Sequence, residues 1–180
     1  LDEQPEAVWV VGLSLGAMVA LELALQLPHK VQGLVLVNGF SEFLLETPKE
    51  QERYAMRLKW LRWFGMRPLA WWLGRELFPG PDLAQVRHTF RGRFVRNKKK
   101  TYKALLEALP GWSVRARLGT LWQPVAIIST SHDYLPLARR VEQFASLPNA
   151  TIHTPDGHHA WPAEDPAGFN HLLQRILSTH

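Results

Sequence analysis

The apolar and polar positions of this chain follow two different patterns. Apolar runs at residues 7–11, 31–38 and 124–129 are short, and each is followed by a turn signal or a helical spacing of apolar positions. Strands that are apolar on both faces and alternate with helices are typical of a parallel sheet covered by helices on both sides. We therefore predict an α/β fold for the parts of the chain that carry these runs.

Two segments have this strand–helix pattern. The first, residues 1–40, is predicted to contain a strand at 7–11, a helix at 15–27 and the apolar run at 31–38. The second, residues 112–180, is predicted to contain the strand at 124–129, a helix at 137–146, a short strand at 150–154 and a closing helix at 166–178. On the 137–146 helix we expect the polar side chains to point outward: Arg139, Arg140, Glu142 and Gln143. On the closing helix we expect one apolar face: Phe169, Leu172, Leu173, Ile176 and Leu177.

The segment between them, residues 41–111, has helical periodicity and no convincing strand. Between positions 49 and 103 it carries fifteen lysine and arginine residues against four acidic residues, whereas the formal net charge of the whole chain is +5. The rest of the chain is therefore net acidic. A basic, helical, aromatic-rich insertion between two α/β segments is predicted to be a helical cap.

A possible catalytic turn lies after the first predicted strand. The residues Gly12-Leu13-Ser14-Leu15-Gly16 separate an apolar run from a helical pattern, and this strand–turn–helix order is the context in which G-x-S-x-G indicates a nucleophile elbow. Flanking glycines would let the strand and the helix approach closely, and the Ser14 side chain would project from the turn. The N–H of Leu15, at the helix start, would point toward an oxyanion formed there. The alternative is an ordinary Gly/Ser turn of an α/β unit.

Composition excludes several classes of site and of protein. The chain has no cysteine, so disulfides, thiolate metal sites and a thiol nucleophile are ruled out. No phosphate-binding loop, zinc motif or dinucleotide fingerprint is present, and we expect no cofactor and no metal. There is no apolar run long enough to span a membrane and no signal-peptide pattern, which favours a cytoplasmic globular protein.

On the motif at 12–16 and the βα repeats, the chain resembles the α/β-hydrolase superfamily, in the branch with a helical cap. The resemblance implies a three-layer α/β/α fold and a Ser…Asp…His triad in that chain order. Asp133, in the turn after the 124–129 run, matches the position of the acid, although Thr130 stands where the family usually has glycine. Glu42 is a less favoured alternative acid. His132, beside Asp133, is expected to be a loop residue.

Two adjacent histidines match the position of the catalytic base. Counting forward from Gly157 favours His158, whereas counting back from the Glu164-Asp165-Pro166 helix start favours His159. Because the helix start limits where the loop can run, we favour His159. In a triad of Ser14, His159 and Asp133, the histidine accepts the serine proton, and the carboxylate fixes the imidazole tautomer.

The resemblance also implies parts that precede the first residue of this sequence. In the family, the first four strands and a second oxyanion donor lie before the elbow. We therefore expect this sequence to correspond to the C-terminal two-thirds of a hydrolase, lacking its N-terminal strands.

The expected activity is cleavage of a carboxylic ester through an acyl-enzyme. Thioester, amide or carbon–carbon bond cleavage on the same triad, and a non-catalytic hydrolase-fold binding module, remain alternatives. The core and small cap are similar to the biotin-pathway esterases that cleave pimeloyl-acyl carrier protein methyl ester. Such a carrier protein is a candidate partner for the basic cap, while a nucleic-acid partner is not expected. Cap tryptophans could line an acyl pocket or only bury the cap's own helices: Trp60, Trp63, Trp71 and Trp72.

Overall fold

A computed structural model describes residues 6–179 and divides the chain into two compact units. The first unit combines Leu1–Glu42 with Ser113–His180, and the second is Phe43–Trp112. The outer ends of the predicted core segments, residues 1–5 and 180, lie outside the described residues.

The first unit is built on a parallel sheet of four strands in the order β1-β2-β3-β4. The strands are β1 (Val8–Leu13), β2 (Val31–Val37), β3 (Val125–Ile128) and β4 (Ala150–His153). The two central strands are buried except at Gln32, which explains why their sequences are otherwise free of polar side chains. The sheet therefore confirms the predicted parallel α/β architecture, and all four strands end at the same edge.

Helices follow the strands in the predicted rhythm. They are α1 (Leu15–Gln26) and, beyond the second unit, α6 (Leu137–Gln143), α7 (Trp161–Glu164) and α8 (Pro166–Ser178), with 3₁₀ turns at Pro28–Lys30 and Arg115–Thr120. One face of the sheet, from Val35, Val37, Ala126 and Ile128, packs with Trp161 and the buried Ile176 of α8. Packing of an α8 stripe against this face is what the helical spacing predicted, although Leu177 is 38% exposed.

The second unit contains only helices among its described residues. They are α2 (Pro48–Phe64), α3 (Met66–Leu77), α4 (Ala84–Phe94) and α5 (Lys99–Ala108). Thr47 and Glu50 form a capping box that starts α2, because each side chain bonds the other residue's backbone N–H. The core of the unit is formed by Leu61, Leu69, Leu73 and Leu106, with half-buried aromatic side chains packed around it.

The prediction for the helix at 137–146 was wrong in two respects. The helix ends at Gln143, and Arg140 and Gln143 are buried, whereas its apolar residues Leu137 and Val141 are 44% and 43% exposed. The reason is that α6 packs against polar groups. Ser41 donates hydrogen bonds to Gln143 through its backbone N–H, at 3.3 Å, and through its hydroxyl, at 2.7 Å. The polar side chains of α6 were expected to face solvent. Gln143 is instead hydrogen-bonded to a loop about a hundred residues earlier in the chain.

Candidate active site

Ser14 occupies a strained backbone conformation in the turn between β1 and α1. Its φ and ψ are 55° and −116°, and it is one of two non-glycine residues with positive φ within residues 6–179. Such a conformation costs on the order of 1–3 kcal/mol, so the surrounding structure must hold it. The Ser14 N–H donates to the carbonyl of Val37 at 2.9 Å, which ties the turn to the end of β2. The local geometry therefore fits the sharp turn that the motif predicts.

The two glycines that flank this serine do different things. A Cβ on Gly12 would lie 2.4 Å from the carbonyl oxygen of Gly16 and 2.6 Å from the backbone N of Ala17. Gly12 is therefore required for the close approach of β1 and α1. A Cβ on Gly16 would meet no described atom within 4 Å, so the expectation that both glycines relieve a clash holds for the first only.

Asp133 and His159 form a direct, buried pair. Nδ1 of His159 lies 2.6 Å from Oδ1 of Asp133, and their side chains are 9% and 0% exposed. Because an ionised carboxylate can only accept, Nδ1 carries the proton in this pair, and a neutral His159 has Nε2 as an acceptor. This is the arrangement that a histidine needs to take a proton from a serine hydroxyl.

The surroundings keep the Asp133 carboxyl ionised. Burial raises the pKa of Asp133, but the hydrogen bond and charge of His159, together with the charge and hydrogen bond of Arg140, outweigh burial and hold that pKa below its ordinary value. Oδ2 of Asp133 accepts a hydrogen bond from Nη2 of Arg140, whose side chain is fully buried. The two carboxylate oxygens are therefore divided between a histidine and an arginine.

Asn38, which the sequence analysis did not single out, connects the loops of the site. Its Nδ2 donates to the hydroxyl of Thr130 at 2.9 Å and to the carbonyl of His159 at 2.9 Å, while its Oδ1 accepts from the N–H of Thr130 at 3.0 Å. The Thr130 hydroxyl in turn donates to the carbonyl of His158 at 3.1 Å. Thr130, which departs from the usual glycine, is thus part of the bonding that holds the histidine loop. The sequence feature that could have indicated Asn38 is its position as a polar residue directly after the buried strand β2.

These bonds place Ser14 and His159 at the same edge of the sheet. Ser14 is bonded to Val37, and the next residue, Asn38, is bonded to the backbone of His159. Nε2 of His159 lies 3.2 Å from the Tyr134 hydroxyl, and the two rings contact each other with centroids 4.4 Å apart and planes inclined by 30°. Nε2 of His159, the nitrogen that would accept the Ser14 proton, therefore also has the Tyr134 hydroxyl as a polar neighbour.

The alternative residues have other partners. Nδ1 of His158 lies 2.9 Å from Oε1 of Glu164, and Nε2 of His132 lies 3.2 Å from Oδ1 of Asp156. Glu42 forms an ion pair with Arg115 at 3.0 Å. None of these pairs involves Asp133 or His159, so the geometry favours His159 over His158 and Asp133 over Glu42.

Leu15 begins α1, directly after the elbow. The first amides of a helix have no intrahelical acceptor, and the positive end of the helix dipole lies there. The position suits an N–H that stabilises the oxyanion of a tetrahedral intermediate formed on Ser14.

The four tryptophans expected to line a substrate pocket all belong to the helical unit. Trp60 and Trp72 are half-buried and pack against that unit's own core. Trp63 and Trp71 are 70% and 50% exposed, and arginine guanidinium groups lie over both rings. The packing supports the structural alternative for Trp60 and Trp72, and it leaves Trp63 and Trp71 accessible within this unit.

Residues 6–179 contain neither a cluster of metal-ligating side chains nor a membrane-length apolar helix. In this range no three His, Asp or Glu side chains are grouped so that they could hold a metal ion. None of the helices in the same range has the length and hydropathy needed to cross a membrane.

Comparison with known proteins identifies the family. A model described as "Alpha/beta hydrolase family" matches residues 1–172. A protein of Klebsiella pneumoniae named as the carbamate hydrolase RutD is 31% identical over 183 aligned positions, which cover 94% of this chain and 65% of that protein. This chain therefore spans just under two thirds of the length of that relative.

Solved structures share the fold at lower identity. The enol-lactonase of Burkholderia xenovorans LB400 matches with a TM-score of 0.81 and 21% identity, covering 93% of this chain and 64% of that one. An esterase from Exiguobacterium antarcticum matches with a TM-score of 0.84 and 13% identity, covering 96% of this chain and 67% of that one. Because the family model spans nearly the whole sequence and these structures share its fold, this chain belongs to the alpha/beta hydrolase family.

Proposed function

We propose that this hydrolase cleaves a carboxylic ester through an acyl-enzyme intermediate, with Ser14 as nucleophile, His159 as general base and Asp133 as its partner. The observation that carries the proposal is the buried hydrogen bond of 2.6 Å between Asp133 and His159. A histidine held in this tautomer directs an unprotonated Nε2 outward from the carboxylate. The strained turn at Ser14 supplies a hydroxyl at the same edge of the sheet.

The reaction proceeds in two halves. In the first, the Ser14 Oγ attacks the ester carbonyl carbon while Nε2 of His159 takes the hydroxyl proton, and the Leu15 N–H donates to the oxyanion. The tetrahedral intermediate collapses, the alcohol leaves with the proton from His159, and Ser14 is acylated. In the second half, His159 takes a proton from water, which attacks the acyl carbon. The free acid leaves, and Ser14 recovers its proton.

Two contributions to the rate come from residues described above. General acid–base catalysis by a positioned histidine supplies roughly 10²–10⁴-fold. A single oxyanion donor supplies roughly 10²–10³-fold. During the first half, the Tyr134 hydroxyl must give up its contact with Nε2 of His159 or share it, because Ser14 requires the same lone pair.

For the substrate, we propose an acyl ester carried by an acidic partner, with pimeloyl-acyl carrier protein methyl ester as the specific candidate. The support is charge: the helical unit lies in the most basic part of the chain, with fifteen cationic side chains against four acidic ones between positions 49 and 103. Opposite charge speeds association and fixes orientation. The exposed Trp63 and Trp71 give the same unit apolar area for an acyl chain.

Carbamate hydrolysis is a second candidate. It is supported by the similarity to RutD, which is named as a carbamate hydrolase and matches over 94% of this chain. The same triad would act, with a carbamoyl group in place of the acyl group on Ser14.

Stopped-flow kinetics with p-nitrophenyl acetate tests the mechanism. We expect a burst of nitrophenolate equal to the concentration of active sites, followed by slower turnover, and no burst from Ser14→Ala. A folded wild-type chain that releases no nitrophenolate, or release that survives Ser14→Ala, would contradict the proposal. Rates with the pimeloyl carrier ester, a free methyl ester and an aryl carbamate then rank the substrate classes.

A further inference from the structure

Arg140 is a buried charge on a helix whose apolar residues are exposed. Its relative exposure is 0%, and it is among the largest fully buried side chains in residues 6–179. Arginine is almost never fully buried unless it is paired, because removing its charge from water costs several kcal/mol. The fold must therefore supply hydrogen-bond acceptors and a counter-ion that compensate for the burial of this guanidinium.

The guanidinium binds to the two loops that follow β2 and β3 at the edge of the sheet. Nε donates to the carbonyl of Gly39 at 3.2 Å, and Nη1 donates to Oδ1 of Asn38 at 3.4 Å. Nη1 also donates to the Ser129 hydroxyl at the end of β3, and Nη2 donates to Oδ2 of Asp133. Of these acceptors only Asp133 is charged, so the aspartate is the counter-ion of Arg140.

Asp133 is also the residue that holds His159. Its Oδ2 is bonded to Arg140 and its Oδ1 to His159, so the carboxylate cannot rotate without breaking one of two charge-assisted bonds. The planar, forked guanidinium reaches the Asn38 loop and the Asp133 loop at once, which a single ammonium cannot do with the same geometry.

We propose that Arg140 is a positioning residue of this active site: it fixes the orientation and the ionised state of Asp133, and through Asp133 the tautomer and ring orientation of His159. This inference deepens the proposed triad and rests on it. The hydrogen bonds of Arg140 go to Asp133 and to the loop of Asn38, so its effect reaches His159 through the carboxylate and, by way of Asn38, through the backbone of the histidine loop.

The test compares two substitutions at Arg140 with a control at another arginine that contacts the same helix. Arg140→Met removes the charge and the hydrogen bonds while keeping an unbranched side chain. Arg140→Lys keeps the charge but loses the fork. The control, Arg115→Met, removes an exposed arginine that also binds α6, through Glu142 at 3.2 Å, but does not touch Asp133.

The first readout is the imidazole spectrum of His159, which does not depend on turnover. In ¹H–¹⁵N spectra of the wild type, the Nδ1 proton shared with Asp133 should resonate far downfield. We expect that signal to be lost or shifted in Arg140→Met, to be shifted less in Arg140→Lys and to be unchanged in Arg115→Met. The second readout is ester turnover. We expect kcat of Arg140→Met to fall about 10- to 100-fold with KM changed by less than about threefold, and Arg140→Lys to recover part of the loss.

A folded Arg140→Met or Arg140→Lys protein with the wild-type imidazole signal and wild-type kcat would overturn the proposal. If neither variant folds, the test is a pH titration of the carboxyl ¹³C signal of Asp133 in the wild-type protein. That signal should show no titration step near about pH 3.9, the ordinary value for aspartate, and a step there would overturn the proposal. Failure of the proposed function is separate: without an acyl burst, a His159 signal that depends on Arg140 would still support the positioning role.

Discussion

Replacing Gly12 with alanine tests how closely β1 and α1 approach at the turn that carries Ser14. The new Cβ would lie 2.4 Å from the Gly16 oxygen and 2.6 Å from the Ala17 nitrogen. Both are backbone atoms, so no side chain can rotate away and the start of α1 must move. Overpacking of this kind costs about 1–3 kcal/mol, which for a chain of this size lowers Tm by about 2–12 °C. The same movement displaces Ser14 and Leu15, so acylation should slow beyond the loss of stability.

Gly16→Ala is the matched control for this substitution. Its Cβ meets no described atom within 4 Å, and Gly16 is not among the positive-φ glycines. Alanine is favoured over glycine inside a helix by about 0.5–1 kcal/mol, so Tm should stay the same or rise slightly. Thermal unfolding of both variants, combined with acylation rates measured well below Tm, checks the argument. If Gly12→Ala and Gly16→Ala have the same Tm and the same acylation rate, β1 and α1 do not approach each other as closely as inferred.

Three further predictions concern the groups around the histidine. His159→Ala should lower kcat/KM by about 10²–10⁴-fold. His158→Ala, which loses contacts with Glu164 and with the ring of His132 but none with Asp133, should change kcat/KM by less than about tenfold. Steady-state kinetics distinguishes the two variants, and equal losses would contradict the assignment. Because the folded-state pKa of Asp133 is depressed, its ionisation stabilises the fold at pH values above the unfolded-state pKa of about 3.9, and that stability is lost as pH falls through the folded-state pKa. Urea unfolding between pH 6 and 3 should therefore show a steeper loss of unfolding free energy for the wild type than for Asp133→Asn. Parallel curves for the two proteins would contradict this prediction. Tyr134→Phe should speed acylation of Ser14 by about 2- to 10-fold, because it removes a hydroxyl that lies 3.2 Å from Nε2 of His159. A slower acylation rate would show that the hydroxyl assists the reaction instead.

The sequence was sufficient for the sheet and for the turn after β1. Apolar runs predicted β2 and β3, since both faces of these strands are buried apart from Gln32. The glycine–serine spacing predicted a sharp turn between β1 and α1, because few residues can occupy such a turn between a strand and a helix. The spacing back from the start of α8 favoured His159 over His158, which agrees with the pairing to Asp133.

The polar contacts between loops could not be predicted in the same way. Arg140 is read as solvated from its helix alone, because its acceptors at Asn38 and Gly39 lie about a hundred residues earlier in the chain. Asn38 itself has no motif around it, and its role follows only from the loops that β2 and β3 bring together. Local periodicity reports which face is apolar, and it carries no information about a polar face that is buried by distant partners.

Labelling with a fluorophosphonate probe, followed by peptide mapping of the adduct, tests the central claim that Ser14 is an activated nucleophile. The probe reacts with serines whose proton is accepted by a positioned base, so the account predicts one adduct per chain, on Ser14. It also predicts that labelling disappears in Ser14→Ala and falls in His159→Ala. A folded chain that remains unlabelled, or an adduct on any other residue, would contradict the claim.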